Sequence, residues 1–163
     1  MHSHNEHCAG AIVRVICTRR RPTNSMSINT TPFRYQKVLI IEDDEIDIYI
    51  SRRIILSSSF AKIAESRSSG KEGLEFLKHT LESGDQLPEV IFLDLEMPEM
   101  DGYEFLKEFH RLPDRIKKTC RIVILSNAQS MQPEKVKILR DSPYLVKILR
   151  KPLTGENLKQ IST

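Results

Sequence analysis

Four short apolar runs punctuate the chain: Val38-Leu39-Ile40-Ile41, Val90-Ile91-Phe92-Leu93, Ile122-Val123-Ile124-Leu125 and Leu145-Val146-Lys147-Ile148-Leu149. Runs of this length with little polar alternation suit strands covered on both faces. Phe60 to Ala64 predicts a further strand nearer an edge, because it is short and carries Lys62. Between the runs the apolar spacing becomes helical. Ile46, Ile50 and Ile54 recur at i, i+4 and i+8, and Leu74, Leu77 and Leu81 at i, i+3 and i+7. Ser69-Gly70-Lys71-Glu72, ahead of the second set, reads as a capping box. Leu106, Phe109 and Leu112 predict a third helix stopped by Pro113. Pro133 opens a fourth helix carrying Val136, Leu139 and Arg140, and Leu158 and Ile161 mark a short fifth.

Strand and helix thus alternate five times. That order predicts an α/β fold: one doubly wound domain over residues 36–163, with a five-stranded parallel sheet and helices on both faces. Residues 1–34 have no sustained period and are expected to form a mostly disordered extension, with Met26 an alternative start. Arg14 interrupts the apolar stretch of this extension, which does not fit a secretory signal.

Charge alters this picture little. The net charge of +3 divides into +4 over residues 1–34 and −1 over residues 35–163, so the body gives no argument for DNA binding. No apolar run approaches the roughly 18 residues of a membrane span. Cys8, Cys17 and Cys120 are odd in number and contain no CxxC, which points to free thiols in a reducing cytoplasm. His2, His4, His7 and Cys8 are soft-metal ligands by type, although a short His-rich end reads more simply as a solvated tail. The Arg19-Arg20-Arg21 run has the same solvated reading. His79 and His110 are expected to face solvent, and Cys120, Met97 and Met100 to fill space.

Chemistry in an open α/β sheet gathers beyond the carboxyl ends of the strands. There the sequence places Glu42, Asp43 and Asp44, then Asp94, then Ser126, then Arg150, Lys151 and Pro152. Clustered carboxylates raise one another's pKa unless a cation sits among them, and an all-oxygen set suits Mg2+. An aspartate can attack phosphorus, a lysine can neutralise phosphoryl oxygens, and a hydroxyl can donate to one of them. Each residue also has a plainer reading: the acidic triplet as helix N-terminal acids, Ser126 as an N-cap, Lys151 as a solvated lysine. The conjunction at successive strand ends favours a site.

On the segments VLIIEDDE (38–45), IFLDLEMPEMDGYEFL (91–106), IVILSNA (122–128) and LRKPLT (149–154), the body resembles the receiver (CheY-like) domain of two-component response regulators. The resemblance implies a flavodoxin-like (βα)5 fold with Asp94 as phosphoacceptor. It implies Mg2+ held directly by Asp43 and Asp94, by Glu42 mainly through water, and by the backbone carbonyl of Glu96. Ser126 would be the switch hydroxyl, Lys151 its phosphate-binding partner, and Lys151–Pro152 a cis peptide. Gly102 would let the loop after Asp94 turn into its helix. The donor would be a sensor histidine kinase or a histidine phosphotransfer protein. A downstream target would dock on the face of the fourth helix, fifth strand and fifth helix, about residues 133–140, 144–150 and 154–161. Lys135, Lys137, Arg140, Lys147, Arg150 and Lys159 make that face basic and suit an acidic partner, simple solvation being the alternative. A homodimer stays open. Because the sequence ends at Thr163, after the fifth helix, a stand-alone regulator is expected.

Several positions depart from the family pattern. Glu42 replaces the usual Asp, Glu96 puts an acid two residues past Asp94, and Ala128 lies two past Ser126. Ile148 stands where an aromatic residue usually swings inward on activation, and the Ser126-to-Lys151 interval is long. Two other readings compete. One is a receiver fold kept as a binding module without phosphorylation. The other is an aspartate-based Mg2+ phosphatase, disfavoured because Glu96 stands where such enzymes carry a second Asp.

Overall fold

The computed structural model describes residues 32–127 and 135–161. The readings made for the N-terminal extension, Ala128 and Pro133 lie outside these residues. The element order is β1 (Tyr35–Ile41), α1 (Glu45–Ser57), β2 (Ala61–Arg67), α2 (Gly70–Glu82), β3 (Val90–Asp94), α3 (Gly102–His110), α4 (Asp114–Thr119), β4 (Arg121–Ser126), α5 (Val136–Arg140), β5 (Leu145–Arg150) and α6 (Gly155–Lys159). The strands are parallel, in the order β2-β1-β3-β4-β5. This is the predicted doubly wound α/β fold.

Strand periodicity of two divides the core into two layers. Val38, Ile40, Phe92, Val123 and Leu125 face one side, where Ile55 of α1 and Leu158 of α6 cover them. Leu39, Ile41, Ile91, Leu93, Ile122 and Ile124 face the other, under Leu74 and Leu77 of α2, Phe105 and Phe109 of α3, and Leu139 of α5. The central strands are covered twice, which is why they read as unbroken apolar runs.

The structure departs from the sequence reading in four places. The third helix does not run on to Leu112. It ends at His110, and Pro113 caps a separate short helix, α4, whose Ile116 is buried. There are thus six helices among the described residues, and the expected fourth and fifth are α5 and α6. In α1 the fully buried positions are Ser51 and Ile55; of the expected stripe, Ile54 packs half-buried against the core, Ile50 is half-buried, and Ile46 is 70% exposed. The helix is rotated so that its acidic first turn meets the strand ends. The capping box at α2 is half formed: Ser69 accepts from the Glu72 N–H at 3.2 Å, but Glu72 reaches back to the N–H and hydroxyl of Ser68. Strand β2 is an edge strand, as expected, but extends to Arg67. Polar residues persist in it because its outer edge faces no further strand.

Candidate functional site

Strand order reverses between β1 and β3, and the polar residues gather at that crevice. Glu42 follows β1 directly, its N–H donating to the Arg67 carbonyl at 3.1 Å. Asp43 is exposed beside it. Asp44 serves α1 as N-cap, accepting from the N–H groups of Ile46 and Asp47 at 2.8 and 3.0 Å. Asp94 is the last residue of β3 and only 4% exposed. Ser126 ends β4, and its carbonyl accepts from the Lys151 N–H at 3.1 Å, tying the ends of β4 and β5 together.

The Lys151 side chain is the hub. Its Nζ lies 2.5 Å from Glu42 Oε2, 3.1 Å from Asp94 Oδ2 and 3.0 Å from Asp47 Oδ2. With 9% of its side chain exposed it is not a solvated lysine. Apart from that ion pair, Glu42 Oε2 finds no hydrogen-bond partner among the described residues. Burial pushes the Glu42 carboxyl up to about 7, with Lys151 opposing and Asp94 reinforcing the shift. Burial also raises the Asp94 carboxyl, against Lys151 and the N–H groups of Glu96 and Leu95. For Lys151 burial works downward, but the hydrogen bond to Glu42 and the charges of Asp94 and Glu42 outweigh it, so its pKa is raised. One cation thus serves several crowded carboxylates, and the balance remains negative.

Carboxylate oxygens of Glu42, Asp43 and Asp94 lie within 4.8 Å of one another. An all-oxygen set of this charge, one member exposed and two buried with only one ammonium between them, fits a hard divalent cation.

Around this centre the other expected residues take distinct places. A Cβ on Gly102 would sit 2.5 Å from the Asp94 carbonyl oxygen and 2.9 Å from Leu95 Cα, so only glycine lets α3 start this close to the end of β3. The Gly102 N–H donates to the Leu95 carbonyl at 3.1 Å. Glu96 is exposed. The Ser126 hydroxyl is buried and donates to the Asn127 carbonyl at 2.8 Å, rather than to Asp94. The Lys151–Pro152 peptide is cis. Ile148 pairs with Ile124 in the sheet and packs partly buried against the core.

Asp47 is the residue that sequence reasoning missed. An acid in the first turn of a helix reads as a complement to the helix dipole. Its available signal was position: it shares the first turn of α1 with the residues that follow Glu42 and Asp43.

The sequence matches the response regulator receiver domain family over residues 38–163. The chain belongs to that family. The receiver is 31% identical over 130 residues to sensor histidine kinase CheAY of Helicobacter pylori, a match covering 73% of this chain and 15% of that protein. It is 26% identical over 123 residues to the probable methanogenesis regulatory protein FilR2 of Methanothrix harundinacea, covering 76% of each. A match to a protein-glutamate methylesterase/protein-glutamine glutaminase of Treponema denticola, 34% identical, covers 64% of this chain and 25% of that protein. The receiver therefore spans a small part of two of these relatives. Among solved structures it resembles a two-component response regulator of Cytophaga hutchinsonii, with TM-score 0.69 and 25% identity over 77% of this chain and 92% of that one. One from Legionella pneumophila gives 0.63 and 28%, covering 77% and 94%.

Proposed function

We propose that this receiver, formed by residues 36–163 behind an N-terminal extension, accepts a phosphoryl group on Asp94 and thereby switches a docking surface in two-component signalling. The observation that carries the reading is Asp94 itself. It is a buried carboxylate at the end of a central strand, 3.1 Å from a lysine ammonium and beside a carboxylate set suited to a divalent cation.

An Asp94 carboxylate oxygen forms the O–P bond while the P–N bond of a donor phosphohistidine breaks, its electron pair passing to the imidazole nitrogen. Lys151 neutralises a phosphoryl oxygen, and Ser126 turns its hydroxyl from Asn127 toward another. Glu42, Asp43 and Asp94, with the Glu96 main-chain carbonyl, are the residues that would hold Mg2+. When bound, it supplies positive charge against the phosphoryl oxygens.

Two surfaces suit the partners. Ile46 and Tyr49, 70% and 62% exposed on α1 beside the site, offer apolar contact to a histidine kinase or phosphotransfer protein. The α5–β5–α6 face would receive the downstream target. Lys137, Arg140, Lys147, Arg150 and Lys159 are exposed there, with no ion pair among the described residues, and favour an acidic surface. Lys135 does not join them, since it pairs internally with Asp101. No helix among the described residues is long and apolar enough to cross a membrane; a cytoplasmic setting fits the reading.

Intact-mass spectrometry after mixing with Mg2+ and acetyl phosphate tests the proposal. One added phosphoryl group is expected on the wild-type chain and none on Asp94→Ala. A blank result extended to a panel of histidine kinases and to beryllofluoride would overturn it in favour of a constitutive binding module.

A further inference from the structure

Asp47 contacts Lys151 without belonging to the strand-end set. We propose that it is a positioning residue, holding the Lys151 ammonium where a phosphoryl oxygen on Asp94 can receive it. The inference rests on the phosphoacceptor reading of Asp94.

An ammonium has three N–H donors, and Lys151 meets three carboxylate oxygens, from Glu42, Asp47 and Asp94. The lysine stem is flexible, so the number and spread of these partners decide where the charge sits. Glu42 lies deep, 2% exposed, whereas 32% of the Asp47 side chain is exposed at the first turn of α1. Glu42 alone would draw the ammonium inward. Asp47 holds it from the solvent side, so Nζ follows neither. Once Asp94 carries a phosphoryl group it no longer offers a free carboxylate. A phosphoryl oxygen then becomes the third acceptor while Glu42 and Asp47 keep the other two. The ammonium is thereby preorganised.

A purely structural role for Asp47 would be to complement the α1 dipole. Glu45 stands in the same first turn and makes no ion pair with Lys151, so it separates the two roles.

The test compares Asp47→Asn, Asp47→Glu and Glu45→Gln with wild type. Phosphorylation rates with Mg2+ and acetyl phosphate are read by intact mass. The Lys151 ammonium resonance is followed by NMR in metal-free, 15N-lysine-labelled protein, assigned with Lys151→Arg. Asp47→Asn is expected to slow phosphorylation about tenfold, the scale typical of groups that orient a site residue. Asp47→Glu should recover most of the rate, and Glu45→Gln should match wild type. The ammonium resonance should be sharp in wild type and Asp47→Glu and lost to exchange in Asp47→Asn. An Asp47→Asn protein with wild-type rate and an unchanged resonance would overturn the proposal, as would an equal loss of rate in Glu45→Gln. If wild type itself takes no phosphoryl group, the phosphoacceptor reading fails, and the resonance alone decides whether Asp47 positions Lys151.

Discussion

Asp101 shows how much one side chain can hold in place. It caps α3 by accepting from the Glu104 N–H at 2.8 Å, and it accepts from Lys135 Nζ at 3.0 Å, 34 residues further along the chain. Burial works to raise its pKa, but the Glu104 N–H and Lys135 prevail and lower it. A carboxyl whose folded pKa lies below its unfolded one contributes stability that is complete above the unfolded value. That contribution is lost as pH falls through the folded one. Asn caps a helix as well as Asp, so Asp101→Asn isolates the charge, whereas Asp101→Ala also removes the cap at a cost of about 1 kcal/mol. In urea titrations at pH 7, 5 and 3, wild type should exceed Asp101→Asn at pH 7 and 5, and the gap should shrink by pH 3. The same contrast explains which residues could be read from sequence. Asp94 breaks an apolar run abruptly and Lys151 stands with Arg150 and Pro152 just past another, and such changes of polarity are visible in one dimension. Asp47 lies in an ordinary acidic first turn, and only folding brings it to Lys151.

At the scale of elements, α3 depends on a close approach that no larger residue permits. Its first residue, Gly102, rests against the backbone of Asp94 and Leu95. Gly102→Ala should destabilise the protein by roughly 1–3 kcal/mol or more, because backbone must shift to admit the methyl group. Its chemical denaturation midpoint should fall accordingly, and with it the capacity for phosphorylation, since the shifted backbone is that of Asp94. The misread elements have local causes. Proline after Leu112 stops the third helix, yet the same fixed φ begins a new turn, and α4 follows at once. In α1 isoleucines are so frequent that several stripes fit the helical period, and the spacing could not choose among them. The sheet and the neighbouring acids made that choice, leaving Ile46 and Tyr49 outside.

Across the whole molecule, one rim of the sheet collects negative charge that a single lysine offsets incompletely. A ligand that binds only the folded state stabilises it by mass action, about 2.7 kcal/mol at a hundred times its dissociation constant. Mg2+ should therefore raise the thermal midpoint of wild type in a concentration-dependent way. Asp43→Asn should respond far less, and because Asp43 is exposed the substitution should leave the metal-free midpoint nearly unchanged. Differential scanning fluorimetry with Mg2+ titrations of both proteins measures this directly.

The sequence by itself determined the alternation of strands and helices, and so the parallel sheet. Buried strands cannot hide their apolar composition, and parallel strands need crossovers. It also determined which residues stand at the strand ends, because polarity must change where a buried strand meets solvent. Only the tertiary structure decided the rotation of α1, the separate α4, and the meeting of Asp47, Glu42 and Asp94 on one ammonium. Those depend on how elements distant in the chain pack together, and contact between them leaves no period in the sequence.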